Sequence, residues 1–360
     1  MNIDYLIIGQ GIAGTVLAFS LLQKGKKILI IDAGNQYGSS VVAAGIVNPI
    51  TGRRLVKTWE ADTILPIAKQ FYTHLEKKLS TSFYHDRTIV RIFENVQQEN
   101  DFYSKSADSN YEQYLSDESI SIGPCFNNEN GCGFVKGAAQ LMTKTFLKTS
   151  RAYFIKNNLL RETTFKPDYK ELANDSGIIL GKEEIRFKRT VFCEGFQVKG
   201  NTLFNYLPFT PSKGVFALVN IDFYKADLLI KKGLMIAPTE TDKLYWAGAT
   251  YNHQDLSSDI TEKEKQYIND KLKKLMVKDA LFGGYKVVDY GVGIRPTTKD
   301  RRPIVGKHSD FPNMVLFNGM GSKGVSLAPW LADELIHHLE ENKPLSVEVD
   351  LNRFEMNNIE

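Results

Sequence analysis

The feature that most constrains this chain is Gly9-Gln10-Gly11-Ile12-Ala13-Gly14, a G-x-G-x-x-G set between an apolar run and an amphipathic one. Tyr5–Ile8 is short, apolar and closed by Gly9, which suits a strand buried on both faces. Residues 12–24 predict a helix, with Ala13, Val16, Leu17, Ser20 and Leu21 on one face and Lys24-Gly25 as its stop. Residues 27–32 (KILIID) predict a second buried strand that ends in an acid. Gly9 permits the tight turn, Gly11 lets a pyrophosphate approach the backbone, and Gly14 lets the helix pack on the strand. The phosphates would rest on the free N–H groups of the helix N-terminus, beside Ile12 and Ala13. Asp32, followed by Ala33, is positioned to accept from ribose hydroxyls. The unit specifies dinucleotide binding and does not choose between NAD and FAD.

Composition sets the wider bounds. The chain has 360 residues and a net charge of +3, from 45 Lys+Arg against 42 Asp+Glu, so nothing demands a polyanionic partner. The apolar share of 42% excludes a disordered or collagenous chain, and the length suits two domains. Three cysteines (Cys125, Cys132, Cys193) leave at least one free thiol and fit a reducing compartment. The uncharged stretch 5–23 follows Asp4, carries four glycine-turn residues and lacks a cleavage pattern, so it reads as neither a signal peptide nor a span. A soluble, cytoplasmic protein is expected. Six histidines without ligand spacing predict no metal site, and no Ser/His/Asp triad or P-loop is visible.

A simple nicotinamide dehydrogenase would continue as βαβα. Instead residues 34–45 (GNQYGSSVVAAG) form a small-residue loop. Residues 64–79 predict a helix, 88–93 a half-buried strand, 97–122 a broken polar helix, and 138–147 a helix. An apolar strand at 191–193 leads to Glu194-Gly195, and antiparallel strands are expected at 215–221, 234–238 and 244–248. Thr261 with Glu264 predicts a capping box. The tail repeats the opening logic: strand 314–318, a glycine turn at 319–324, and a helix over 326–339. Two such turns suggest that the two ends of the sequence converge on one extended ligand.

These residues resemble the D-amino-acid-oxidase/glycine-oxidase family of FAD-dependent oxidoreductases over nearly the whole length. The resemblance rests on five segments in order: GQGIAG with Asp32, AAGIVNP at 43–49, VFCEGF at 191–196, GVGIRPTTKD at 291–300 with Pro303 and Gly306, and GMGSKGVSLAP at 319–329. It implies an α/β (overall α+β) fold: a discontinuous Rossmann-like FAD domain over 1–82, 136–203 and 286–360. The second, substrate domain would comprise 83–135 and 204–285, built on a large antiparallel sheet. It also implies non-covalent FAD, since no cysteine lies between Tyr290 and Asp300.

By position, the resemblance implies that Gly9, Gly11, Gly14 and Asp32 hold adenosine and pyrophosphate, while Ser39, Ser40, Ala44 and Gly45 line the flavin side. Glu194 and Gly195 would pass close to the cofactor. Gly319, Gly321, Ser322, Lys323, Gly324 and Val325 would approach the pyrimidine edge, where Lys323 and the helix N-terminus would stabilise negative charge. Arg295 would pair with a substrate carboxylate; its alternative is an internal pair with Asp300 or another carboxylate. Lys323 has a solvated lysine as its alternative. Lys299, Arg301 and Arg302 read as a wet charged turn; Arg53, Arg54 and Lys57 read as a wet surface, with contact to an acidic substrate as the alternative. Of Tyr245, Trp246, Tyr251 and His253, only Tyr251 resembles a family strand-end position. Asp32 stands where glutamate is more usual, and Met320 and Ser322 replace residues that contact substrate in some members.

The expected activity is oxidation of the C–N bond of an amine or amino acid, by hydride transfer from Cα to flavin N5 and hydrolysis of the imine. The rivals are a tRNA wobble-uridine-modifying oxidase, a flavin-holding protein without turnover, and a nicotinamide dehydrogenase.

Overall fold

The computed structural model describes residues 1–354 apart from 35–37, 117, 119–121, 175–176, 223, 225–226 and 278–283. Parts of the expected loop at 34–45 and of the polar stretch 97–122 therefore lie outside the described residues.

The run read as YLII pairs as Asn2–Ile8, with Ile28–Asp32 on one side and Glu183–Phe192 on the other, all parallel. Met314–Asn318 and Leu160–Glu162 extend the sheet in parallel; Ile304–Lys307 and Gly177–Leu180 add antiparallel strands, making seven. Chain order reverses at the first strand. The connections leaving its carboxyl end and that of Glu183–Phe192 therefore diverge and open a crevice. Helix Ile12–Gln23 is buried along most of its length because it packs beneath helix Gly324–Glu341 as well as on the sheet.

A nine-stranded sheet forms the second half. Its main path runs Tyr285–Arg295, Ser212–Ile221, Leu244–Gly248, Leu234–Pro238, Leu228–Lys232, Tyr84–Ile92, Cys132–Leu141 and Ile46–Val47; Leu115–Ser116 adds beside Cys132–Leu141. All pairings are antiparallel except Leu228–Lys232 on Tyr84–Ile92. Alternation gives the sheet two apolar faces. Val215, Ala217 and Val219 pack with Ile268 and Leu272 of helix Glu262–Leu275. Leu229, Met235 and Ala237 face inward and share a core with Ile7 and Val16 of the nucleotide unit.

Three expectations change. The helix predicted over 138–147 is two elements, strand Cys132–Leu141 and helix Thr143–Lys156; the alanine-rich GAAQL is held extended by partners on both sides. The segment boundaries at 136 and 286 fall inside strands of the nine-stranded sheet, and Ile46–Val47 also joins it. The last helix begins at Gly324, two residues before Ser326. Among the described residues no helix is long and apolar enough to cross a membrane, and no cluster of three His, Cys, Asp or Glu side chains is spaced to hold a metal.

Candidate cofactor and substrate site

A cleft of about 1060 Å³ opens at the reversal point of the seven-stranded sheet. Its walls come from the ends of four parallel strands: Gly9–Ala13 after the first, Asp32–Gly34 after the second, Cys193–Gln197 after Glu183–Phe192, and Asn318, Met320 and Gly321 after Met314–Asn318. Residues from both ends of the sequence thus line one cleft, and Asn318 Nδ2 donates to the Gly195 carbonyl at 2.8 Å, which ties the end of the last parallel strand to the middle segment.

The glycines have separate tasks. Gly9 has φ +100°, and a Cβ there would lie 2.6 Å from the Cys193 carbonyl oxygen. Gly14 faces inward, since its Cβ would fall 1.9 Å from the Gly9 carbonyl oxygen. At Gly195, φ is +59° and a Cβ would meet no atom within 4 Å, so the cleft is open over that backbone. Ser39 and Ser40 also line it, and Ser40 Oγ accepts from the Ile12 N–H (3.1 Å) at the helix start.

Asp32 is held from three sides. Its carboxylate accepts from the N–H groups of Gln10 (2.8 Å) and Gly34 (2.7 Å) and pairs with Arg151 (2.8 Å). Among the described residues that uses three of roughly four acceptor positions and leaves one on Oδ2, the oxygen bonded there by Gln10. Arg151 also bridges to Glu162 at 2.9 Å and Gln10 Oε1 at 2.8 Å. Sequence reasoning missed Arg151 and the Gln10 side chain. Arg151 lies in a helix remote in sequence and carries no local signal, whereas Gln10 stood inside the motif as an unspecified position. Glu194 accepts from Asn201 (2.9 Å) and Tyr169 (3.2 Å), yet burial pushes its carboxyl above the usual range. Burial also raises the Cys193 thiol.

Not every expected position reaches the cleft. Gly14, Ala44, Gly45, Gly319, Ser322, Lys323 and Val325 lie outside its lining, and so do Tyr251 and Arg295. A Cβ on Gly45 would sit 1.8 Å from the Leu141 carbonyl oxygen, so that glycine serves packing between sheet and loop. Val325 is buried and Ser322 exposed, while Gly324 and Met320 face in. Lys323 precedes the last helix, half-buried, with no ion pair among the described residues; burial and the nearby Arg302 and Arg301 lower its pKa.

Arg295 ends the edge strand of the second sheet, next to Pro296 of the cleft wall. Its guanidinium sits 4.5 Å from the Tyr251 ring centroid and donates to the Thr250 carbonyl at 3.3 Å. Gly214 makes room for it, since a Cβ there would lie 2.2 Å from Nη2. The alternative pair with Asp300 does not form: Asp300 is bonded by Arg353 at 3.0 Å, and no carboxylate pairs with Arg295 among the described residues. Arg302 is likewise not a wet side chain, as it lies 4.7 Å from the Trp59 ring centroid and pairs with Glu348. Lys57 is paired with Asp62, which leaves Arg53 and Arg54 exposed on the hairpin of Ile50–Thr51 and Val56–Lys57. Tyr245 points to the outer face and donates to the Tyr224 carbonyl. Trp246 points inward, bonds the Val42 carbonyl and stacks on Phe216. His253 contacts the Pro211 carbonyl.

A glycine-turned cleft at the switch point of a parallel sheet, in a molecule whose second half is a large, mostly antiparallel sheet that reaches the cleft rim at Pro296, is the architecture of a two-sheet redox flavoprotein. The sequence profile of the FAD dependent oxidoreductases (DAO) matches residues 4–338, and the chain belongs to that family. Its cofactor is FAD, and the glycine-walled cleft with one open acceptor on Asp32 fits that nucleotide. Among solved structures, glycine oxidase from Geobacillus kaustophilus superposes with a TM-score of 0.78 at 18% identity, covering 96% of this chain and 97% of that one. Iminodiacetate oxidase from Chelativorans sp. BNC1 gives 0.75 at 17%, covering 98% of each. By sequence, the tRNA 5-methylaminomethyl-2-thiouridine biosynthesis bifunctional protein MnmC of Leptospira interrogans is 24% identical over 95% of this chain, which spans 58% of that relative's length.

Proposed function

We propose that this enzyme oxidises the C–N bond of an amine or amino acid, with the substrate between the cleft and the inward face of the nine-stranded sheet. The observation that carries this reading is Arg295, a half-buried guanidinium next to the cleft wall with no carboxylate partner among the described residues. Leaving such a charge unpaired is costly unless a ligand carboxylate completes it, and the planar fork would fix that carboxylate's orientation. Tyr251 backs the guanidinium, and Phe216 stacked on Trp246 makes the adjoining face apolar. FAD, when bound, supplies the two-electron acceptor that C–N oxidation needs. The glycine oxidase and iminodiacetate oxidase similarities support this choice of substrate class. On this reading the nucleotide part uses the seven-stranded sheet and the substrate part uses the nine-stranded sheet, to which Tyr285–Arg295 and Cys132–Leu141 belong.

The test is anaerobic mixing with glycine, sarcosine, proline and D-amino acids while the flavin band is watched. A substrate should bleach it, and Arg295→Ala should keep the yellow colour while weakening carboxylated substrates roughly 30-fold or more, about 2 kcal/mol for a charge-assisted pair. Unchanged affinity would remove Arg295 from the site. A second reading, oxidation of a modified uridine in tRNA, draws support from the MnmC similarity and the exposed Arg53 and Arg54. It requires that replacing both with Ala abolish tRNA binding.

A further inference from the structure

The inward face of the second sheet carries an unexplained cluster of positive charge at the end opposite Arg295. Phe216, Gly248, Met235, Lys231 and Arg91 form one cross-strand row. Lys231 and Arg91 are direct partners on adjacent parallel strands, roughly 4.8 Å apart in backbone, with side chains on the same face as Leu229 and Ile89. Both are half-buried. Arg91 donates to the Arg53 carbonyl at 3.3 Å, which brings the exposed Arg53 hairpin over the pair. No carboxylate lies within ion-pair distance of Arg53, Arg91 or Lys231 among the described residues; Glu94 is the acid whose charge reaches Lys231. Burial first, then Arg91, Lys271 and Arg53, pull the Lys231 ammonium down to about 8, with Glu94 opposing. Like charges held together in partial burial raise the energy of the free protein, and an anion relieves that cost.

We propose that Arg91, Lys231 and Arg53 form an anion subsite that takes a phosphate group on the far part of the substrate, the amine being bound near Arg295. This rests on the reading that the inward face receives substrate. Four strand spacings, roughly 19 Å, separate the Arg295 strand from that of Lys231. One small amino acid cannot span that distance, so the partner chemistry is an amine attached to a phosphorylated body. A free phosphorylated amine and a nucleotide within RNA share that chemistry.

The test measures binding to the oxidised holoenzyme, without turnover, of inorganic phosphate, a phosphorylated small amine and oligoadenylate. Arg91→Ala with Lys231→Met should weaken the probes roughly tenfold or more, with unchanged flavin absorbance. Arg53→Ala, on the exposed hairpin, should weaken them several-fold without risk to the core. Lys188→Met, a remote exposed lysine paired with Asp4, should change nothing. Lys231 loses its proton as pH rises through about 8. Oligoadenylate, of constant charge in this range, should therefore bind more weakly at about pH 9 than at about pH 7, and Lys231→Arg should remove that dependence. Tighter binding of the phosphorylated amine than of oligoadenylate assigns a free substrate; the reverse order, with a steep salt dependence, assigns RNA. Affinities indifferent to Arg53, Arg91 and Lys231 overturn the subsite. If these variants lose the probes but no amine ever bleaches the flavin, the subsite stands and the oxidation reading fails.

Discussion

The open acceptor on Asp32 and the raised carboxyl of Glu194 give the cleft opposite responses to substitution. Asp32→Ala removes the ribose acceptor and strips Arg151 of its inner partner. FAD affinity, measured by fluorescence titration of the deflavinated protein, should fall about 10–100-fold, as for lost hydrogen bonds to a charged group. Glu194 titrates above its unfolded value, so its contribution to stability is full at low pH and is lost as pH rises through the folded value. Glu194→Gln keeps an acceptor for Asn201 or Tyr169 and cannot ionise. Its Tm should exceed that of the parent at pH 8 and match it at pH 4; an equal difference at both would contradict the burial argument. At this scale the sequence was readable where the signal is local. Gly9 and Asp32 stand at strand ends that any parallel unit must have. Arg151 reaches Asp32 across 119 residues, and nothing in the local pattern near either residue announces that contact.

At the scale of elements, the last helix holds a proline, and its consequence lies in another helix. Pro329 has no N–H, which frees the Val325 carbonyl one turn earlier; the fully buried Tyr72 of helix Ala61–Leu79 donates to it at 2.9 Å. Tyr72→Phe leaves that carbonyl unsatisfied and should cost about 1–3 kcal/mol, read as a lower midpoint in denaturant with bound flavin retained. A neutral outcome would mean the carbonyl finds another donor. The capping box at Thr261 and Glu264 was legible because both halves lie within four residues, and both bonds form. Strand Cys132–Leu141 was half hidden because Gly137-Ala138-Ala139 has no strand preference and becomes extended only between its neighbours.

For the whole molecule, the convergence of two glycine turns was legible as repetition: strand, glycine turn and helix occur at both ends of the chain. The interleaving was not. Strand Tyr285–Arg295 alternates like many strands, and its membership of the second sheet depends on register with Ser212–Ile221, a long-range pairing that sequence periodicity does not encode. The central claim is that both ends of the chain form one cradle for FAD. Purified protein titrated with FAD, followed by acid precipitation, tests it directly. One yellow flavin per chain is expected, released into the supernatant, with loss of that stoichiometric binding on either Gly11→Val or Gly321→Val. Stoichiometric flavin binding that survives either substitution, or a protein that never takes up FAD, would contradict it.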